Sequence, residues 1–250
     1  MDRTGASAVI EGEAAGDYAG RAVAFGDLDG DGAEELVVGA YRNSAGERFA
    51  GAAYVLDVGT QSLADATSKV TGTTEGEAVG RTVMVARDLD GDGLADVVVG
   101  ATGYDELRGA AYVFSTIPVG SSSVSAASAV VHGADPDDSG GVGLAGGDLD
   151  GDDVGDLAFG APGERESVEE DPPPGWVGVL FGPLAGTYAP ESIPLRVWGD
   201  ADGDAMGIAL ATVVDPADGP GGTLAAAAYR APVGDADDAG KVFIIPVTLP

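Results

Sequence analysis

The sequence predicts an all-β fold, a β-propeller built from four-stranded antiparallel blades, and three observations predict it. An Asp-rich loop recurs at near-constant spacing, short β-prone runs follow each copy, and no stretch carries helical periodicity.

The loop copies read GDLDGDGAEELVVGA (26–40), RDLDGDGLADVVVGA (87–101) and GDLDGDDVGDLAFGA (147–161). Their first acids, Asp27, Asp88 and Asp148, lie 61 and 60 residues apart. A degraded fourth copy, VDPADGPGGTLAAAA, opens its loop at Asp215. The flanks repeat as well. Upstream come AVIEG (8–12), KVTG (69–72), VVHG (130–133) and RVWG (196–199). An acidic turn follows each, then Gly20, Gly80, Gly141 or Gly207 and a short run of small residues. Downstream lie GAAYVL (51–56), GAAYVF (109–114), WVGVLF (176–181) and KVFIIP (241–246). Each unit therefore reads as four strands separated by Gly- and Asp-rich turns, the content of one propeller blade.

The repeat units run approximately 6–57, 67–115, 127–183 and 192–247 within one domain spanning 1–250. Four blades fit either a closed small ring or part of a larger, for example seven-bladed, propeller. The slice is favoured because four is the minimum of the usual range. In a closed ring Ala8, Val9 and Ile10 would complete the last blade and remove its edge.

Composition narrows the function. Forty-two acids against 12 bases give a net charge of −30. Nucleic acid and anionic membrane surfaces both need a basic footprint, so neither is expected as a partner. No run approaches the roughly 20 apolar residues of a membrane helix. The N-terminal MDRTGASAVIEG lacks the basic and apolar regions of a signal peptide, as expected if the chain is a fragment of a longer secreted protein. There is no cysteine, so disulfides are not the staple. Salt adaptation is the other reading of the acidity.

The acids are not spread evenly. Asp27, Asp29, Asp31 and Glu35 occupy loop positions 1, 3, 5 and 9, as do Asp88, Asp90, Asp92, Asp96 and Asp148, Asp150, Asp152, Asp156. Gly32 and Gly93 stand at position 6, where the third loop has Asp153. Alternate carboxylates on a tight loop converge on one point, and the carbonyls of Ala33, Leu94 and Val154 at position 7 can add an oxygen. Hard, charged oxygens without His or Cys suit Ca²⁺. About three Ca²⁺ ions are expected, acting as structural metals because no nucleophile–base pair accompanies them. An EF-hand would need Glu at position 12 and flanking helices; Val38, Val99 and Phe159 stand there instead.

On these loops the sequence resembles the FG-GAP repeats of the integrin α-subunit N-terminal propeller, which also occur in bacterial surface proteins. The D-x-D-x-D-G-x-x-[DE] loop, the apolar run and Gly160-Ala161-Pro162 carry the likeness, with Gly39-Ala40 and Gly100-Ala101 matching in part. The family's Phe-Gly pair becomes Ala19-Gly20, Val79-Gly80, Gly140-Gly141 and Met206-Gly207. The fourth loop keeps Asp215 but has Ala217, Gly219 and Thr223 in place of its other acids, so no calcium is expected there. The resemblance implies that the calcium loops join the first two strands of each blade, all on one face, and brace the hairpin.

Other candidates read more plainly. His132, the only histidine, matches Glu11, Thr71 and Trp198 in the other units and reads as an outward strand position. The acidic turns 12–17, 74–77, 134–139 and 199–204 read as solvated, with Asp200, Asp202 and Asp204 a weaker cation candidate. The Ser-rich run 120–128 reads as a flexible connector. Loops 41–51, 102–109, 162–175 and 229–240 vary most and hold Arg42, Arg48, Arg108, Arg165 and Arg230. Such loops are the usual carriers of recognition. The sequence thus predicts an extracellular or cell-surface binding or adhesion module, non-catalytic, meeting a protein or glycan through the loops opposite the calcium sites. The alternative is an ancillary propeller of a larger secreted enzyme or surface protein.

Overall fold

A computed structural model describes residues 9–163, 173–214, 221–234, 236 and 238–247. Each sheet takes its fourth meander strand from the start of the next repeat unit, so the first group comprises β1 (Ala22–Gly26), β2 (Glu35–Ala40), β3 (Ala52–Asp57) and β4 (Ser68–Thr71). The second supplies β5 (Val79–Arg87), β6 (Ala95–Ala101), β7 (Ala110–Phe114), β8 (Gly120–Ser123) and β9 (Ala129–His132). The third supplies β10 (Gly143–Gly147), β11 (Asp156–Ala161), β12 (Trp176–Leu180), β13 (Gly186–Tyr188) and β14 (Leu195–Trp198). The last has β15 (Met206–Val213), β16 (Thr223–Ala228) and β17 (Lys241–Pro246).

These strands form four separate sheets, ordered β1-β2-β3-β4-β8, β5-β6-β7-β9-β13, β10-β11-β12-β14 and β15-β16-β17. In the first three sheets four meander strands pair antiparallel throughout, and β8 and β13 add a fifth, parallel strand to the first two. After their opening acids, β2, β6 and β11 are continuous runs of apolar and small residues because both of their faces are covered: Val37, Val98 and Leu157 are essentially inaccessible.

Neighbouring sheets approach through glycine. A Cβ on Gly39 would overlap the Gly80 carbonyl oxygen, one on Gly100 would overlap Gly141, and one on Gly160 would overlap Gly207. Gly80, Gly141 and Gly207 also hold positive φ of 82°, 84° and 97°. Only glycine meets both demands. Either side of these contacts, small residues interdigitate: Val85 lies against Gly26, and Met84 and Ala86 lie against Gly146.

The expected propeller does not form. None of the four sheets closes and, among the described residues, no strand pairing joins the last sheet to the first. Val23 and Phe25 on β1 are 58% and 54% exposed, and Val242 and Ile244 on β17 are 64% and 66% exposed. Closure would bury all four. The last sheet also differs at the contact position: where the other units have Gly39, Gly100 and Gly160, it has Ala227. Ala8 lies outside the described residues. Ile10 and Glu11 do not reach β17; Glu11 runs beside Ser62, with its amide donating to Gln61 O at 2.9 Å and its carbonyl accepting from Leu63 N at 2.8 Å.

The connector expected over 120–128 is also ordered. Gly120–Ser123 forms β8, which pairs in parallel with β4, and Val124 is buried behind it. Serine gives no apolar alternation to read. The open edge of β4 supplies the backbone partners instead.

Candidate functional site

The three acidic loops join β1 to β2, β5 to β6 and β10 to β11, all at the same end of their sheets. Each loop is built by its own carboxylates. In the first, Asp27 accepts from Gly30 N at 2.8 Å and Gly32 N at 3.0 Å, and Asp31 accepts from Ala33 N at 2.7 Å. The third repeats this with Asp148 accepting from Gly151 N (2.7 Å) and Asp153 N (3.0 Å), and Asp152 from Val154 N (2.9 Å). In the second, Asp92 accepts from Leu94 N at 2.8 Å, while the Leu94 carbonyl accepts from Asp88 N at 3.0 Å.

The acid at position 9 ties the loop shut. Glu35 accepts from Leu28 N at 2.8 Å, Asp156 from Leu149 N at 2.6 Å, and Asp96 from Leu89 N. Leu89 and Leu149 are fully buried, which anchors the turn in the core.

The structure brings positions 1, 3 and 9 together. Ligand oxygens of Asp27, Asp29 and Glu35 lie within 4.8 Å of one another, as do those of Asp88, Asp90, Asp96 and of Asp148, Asp150, Asp156. Asp31, Asp92 and Asp152 stand outside these triads; like Asp29, Asp90 and Asp150, each accepts from the amide two residues on. The carboxylates fit a divalent cation on an observation independent of their count: Asp88 Oδ1 and Asp96 Oδ1 are buried with no hydrogen-bond partner. Burial, reinforced by Asp90 and Asp92, pushes Asp96 up to about 6. Burial likewise raises Asp156 to about 6, with Asp150 and Asp152 adding to the rise, and raises Asp150 beside Asp152. A cation would relieve each of these strains, since its charge outweighs every other in such a loop.

The fourth loop's Asp215, Ala217 and Gly219 lie outside the described residues, as does Arg165. Thr223 opens β16. No acidic triad includes Asp200, Asp202 or Asp204 among the described residues.

The turns at the opposite end are not solvated as expected. Asp17, Glu77, Asp138 and Asp204 are 7%, 1%, 3% and 0% exposed. Glu77 accepts from Thr73 N at 2.7 Å and Thr74 N at 3.0 Å; Asp138 accepts from Ala134 N and Asp135 N, and Asp204 from Asp200 N and Ala201 N, at similar distances. In three units the same turn is tied to a buried aromatic of the third strand. Tyr112 donates to Glu77 at 2.6 Å, Trp176 Nε1 donates to Asp138 at 2.9 Å, and Asn43 bridges Asp17 to Tyr54. The signal was available: every unit has an acid three residues before its Gly20, Gly80, Gly141 or Gly207.

The variable loops hold their arginines in different ways. Arg42 lies over the Tyr18 and Phe49 rings, Arg48 pairs with Glu75 at 2.8 Å, and Arg108 pairs with Asp105 at 3.0 Å. Arg230 stacks on Tyr229. His132 is not a plain outward position. It is half-buried and stacks on Tyr104 with centroids 5.1 Å apart.

The FG-GAP repeat family matches residues 19–56 and 79–114, which contain the first two acidic loops. The chain is 34% identical over 167 residues to integrin alpha-PS2 of Drosophila melanogaster, covering 61% of this chain and 12% of that protein. It is 33% identical over 106 residues to integrin alpha-4 of Xenopus laevis, covering 42% of this chain and 10% of that one. The chain thus spans about a tenth of the length of these curated relatives. The kinship is that of FG-GAP repeats and a distant integrin-alpha homology.

Proposed function

We propose that this chain is a calcium-stabilised binding module that works outside the cell or at its surface, without catalysis. FG-GAP repeats carry a general binding or adhesion role, and the matches support that much of the reading. The observation that carries the calcium part is the recurrence of one acidic triad at equivalent places in three sheets, with buried, unpartnered Asp oxygens in the second. Ca²⁺ takes about 6–8 oxygen ligands at 2.3–2.6 Å and binds extracellular modules at roughly 10⁻⁴–10⁻³ M. Such loops are therefore filled outside the cell and empty in resting cytosol. The ion braces the turn between the first two strands of a sheet. Loops 41–51 and 102–109 leave the other end of the same sheets, and contact with a protein or glycan is assigned to them.

Thermal melting under calcium titration tests the first half. Millimolar Ca²⁺ raises the melting temperature and Mg²⁺ raises it much less; no response to Ca²⁺ refutes the reading. The second half is tested by capture on protein and glycan panels. Substitutions in loops 41–51 and 102–109 abolish capture, whereas captures insensitive to both loops refute the assignment.

A further inference from the structure

Beside the outer edge of the second sheet runs a groove of about 440 Å³, lined by Tyr104, Asp105, Arg108, His132, Glu191 and Arg196. It draws on the 102–109 loop, the end of β9 and the segment leading into β14. Three features mark it out from an ordinary crevice.

The first is backbone strain. Asp105, Glu106 and Leu107 hold φ of 44°, 58° and 63°, three consecutive non-glycine residues in the left-handed region. Each costs on the order of 1–2 kcal/mol, and strain of this kind gathers at binding sites. The surroundings hold it in place: Arg108 binds the Asp105 carboxylate at 3.0 Å and the Ala134 carbonyl, while Ser139 N donates to Leu107 O at 2.8 Å.

The second is unused hydrogen-bonding capacity. His132 Nδ1 is buried without a partner. Burial, with Arg108 close by, lowers the imidazole's pKa and keeps it neutral at physiological pH. Arg196 makes no hydrogen bond or ion pair among the described residues, and Glu191 is exposed. The third is the aromatic wall made by Tyr104 stacked on His132, with ring planes 27° apart.

Charge selects the ligand. Two guanidiniums and two carboxylates make the groove neutral, on a chain whose net charge of −30 opposes the approach of anions. A neutral ligand feels neither penalty. Alternating hydroxyls can donate to Asp105 and Glu191 and accept from Arg196, and a pyranose face packs on an aromatic wall. We propose that this groove binds a neutral saccharide of one or two rings. The inference rests on the assignment of ligand contact to the 102–109 loop and names the ligand class for it.

Saturation-transfer NMR on the full chain in millimolar Ca²⁺ tests it. The probes are glucose, galactose, mannose, N-acetylglucosamine and their β-1,4 dimers, with sialic and glucuronic acids as acidic comparators, each at 10 mM. At least one neutral sugar gives transfer, and Arg196→Ala combined with Glu191→Ala weakens its binding at least tenfold. Both side chains are exposed, so the fold is kept and an unchanged melting temperature checks this. His132→Ala also weakens binding. No transfer from any neutral sugar, transfer from the acidic sugars alone, or transfer untouched by the double substitution overturns the proposal. Capture of a protein through loop 102–109 with no sugar signal also overturns it while leaving the wider binding role intact.

Discussion

Asp96 shows how one side chain serves two opposed demands. Buried beside Asp90 and Asp92, its carboxyl is held at about 6, above its ordinary 3.8. The folded cation-free chain therefore keeps a proton that the unfolded chain gives up. That contribution to stability is complete below about pH 4 and is lost as pH climbs through 6. In chelator, the melting temperature falls over that interval, and Asp96→Asn flattens the fall. Asparagine can still accept from Leu89 N while its amide fills the unpartnered place, so the variant melts higher than the parent at pH 7 without cation. It also loses part of the calcium response; an unchanged calcium response would count against Asp96 as a ligand. Asp153 offers a simpler test. It holds φ of 72° where the other loops have Gly32 and Gly93, so Asp153→Gly stabilises by up to about 1 kcal/mol in denaturant titration. The alternation of acids that converge on a point was legible from spacing alone. Which of them converge was not: positions 5 and 3 look alike in sequence and both accept from an amide two residues on, so only the path of the folded loop separates them.

Among the elements, the turns before β5, β10 and β15 carry a device that their acidic, Gly-rich composition concealed. A buried acid caps its own turn and, before β5 and β10, reaches the aromatic of the third strand. Glu77→Ala strands the Thr73 and Thr74 amides and the Tyr112 hydroxyl, at a cost of about 3 kcal/mol or more in urea unfolding. Tyr112→Phe costs less, about 1–2 kcal/mol, because the turn keeps its cap. Equal losses for the two would mean that the cap is not the main effect. Sequence reading took these acids as solvated because an acid in a Gly-rich turn is usually so. The fixed offset from the next glycine was the contrary signal. Strand order was readable from the hairpin turns, whereas β8 and β13 were not. Their parallel pairing is set by the free edge they meet and not by any pattern of their own.

At the scale of the whole molecule, the all-β character came through from the repeat, and closure did not. Closure depends on whether the outer faces meet, and Val23 and Phe25 on β1 stay as exposed as Val242 and Ile244 on β17. Gly100→Ala introduces a methyl at an internal contact, against Gly141 and Thr82, and destabilises by about 3 kcal/mol or more in denaturant titration. The reverse change, Ala227→Gly, shifts stability by no more than about 1 kcal/mol, since half-buried Ala227 lies on the face that no further sheet covers among the described residues. A large loss from Ala227→Gly would show that this face is covered. The main-chain contacts at Gly39, Gly100 and Gly160 have a wider consequence. Their spacing is a constant of the polymer and not of its side chains, so layers can be duplicated or deleted in a gene without retuning their neighbours.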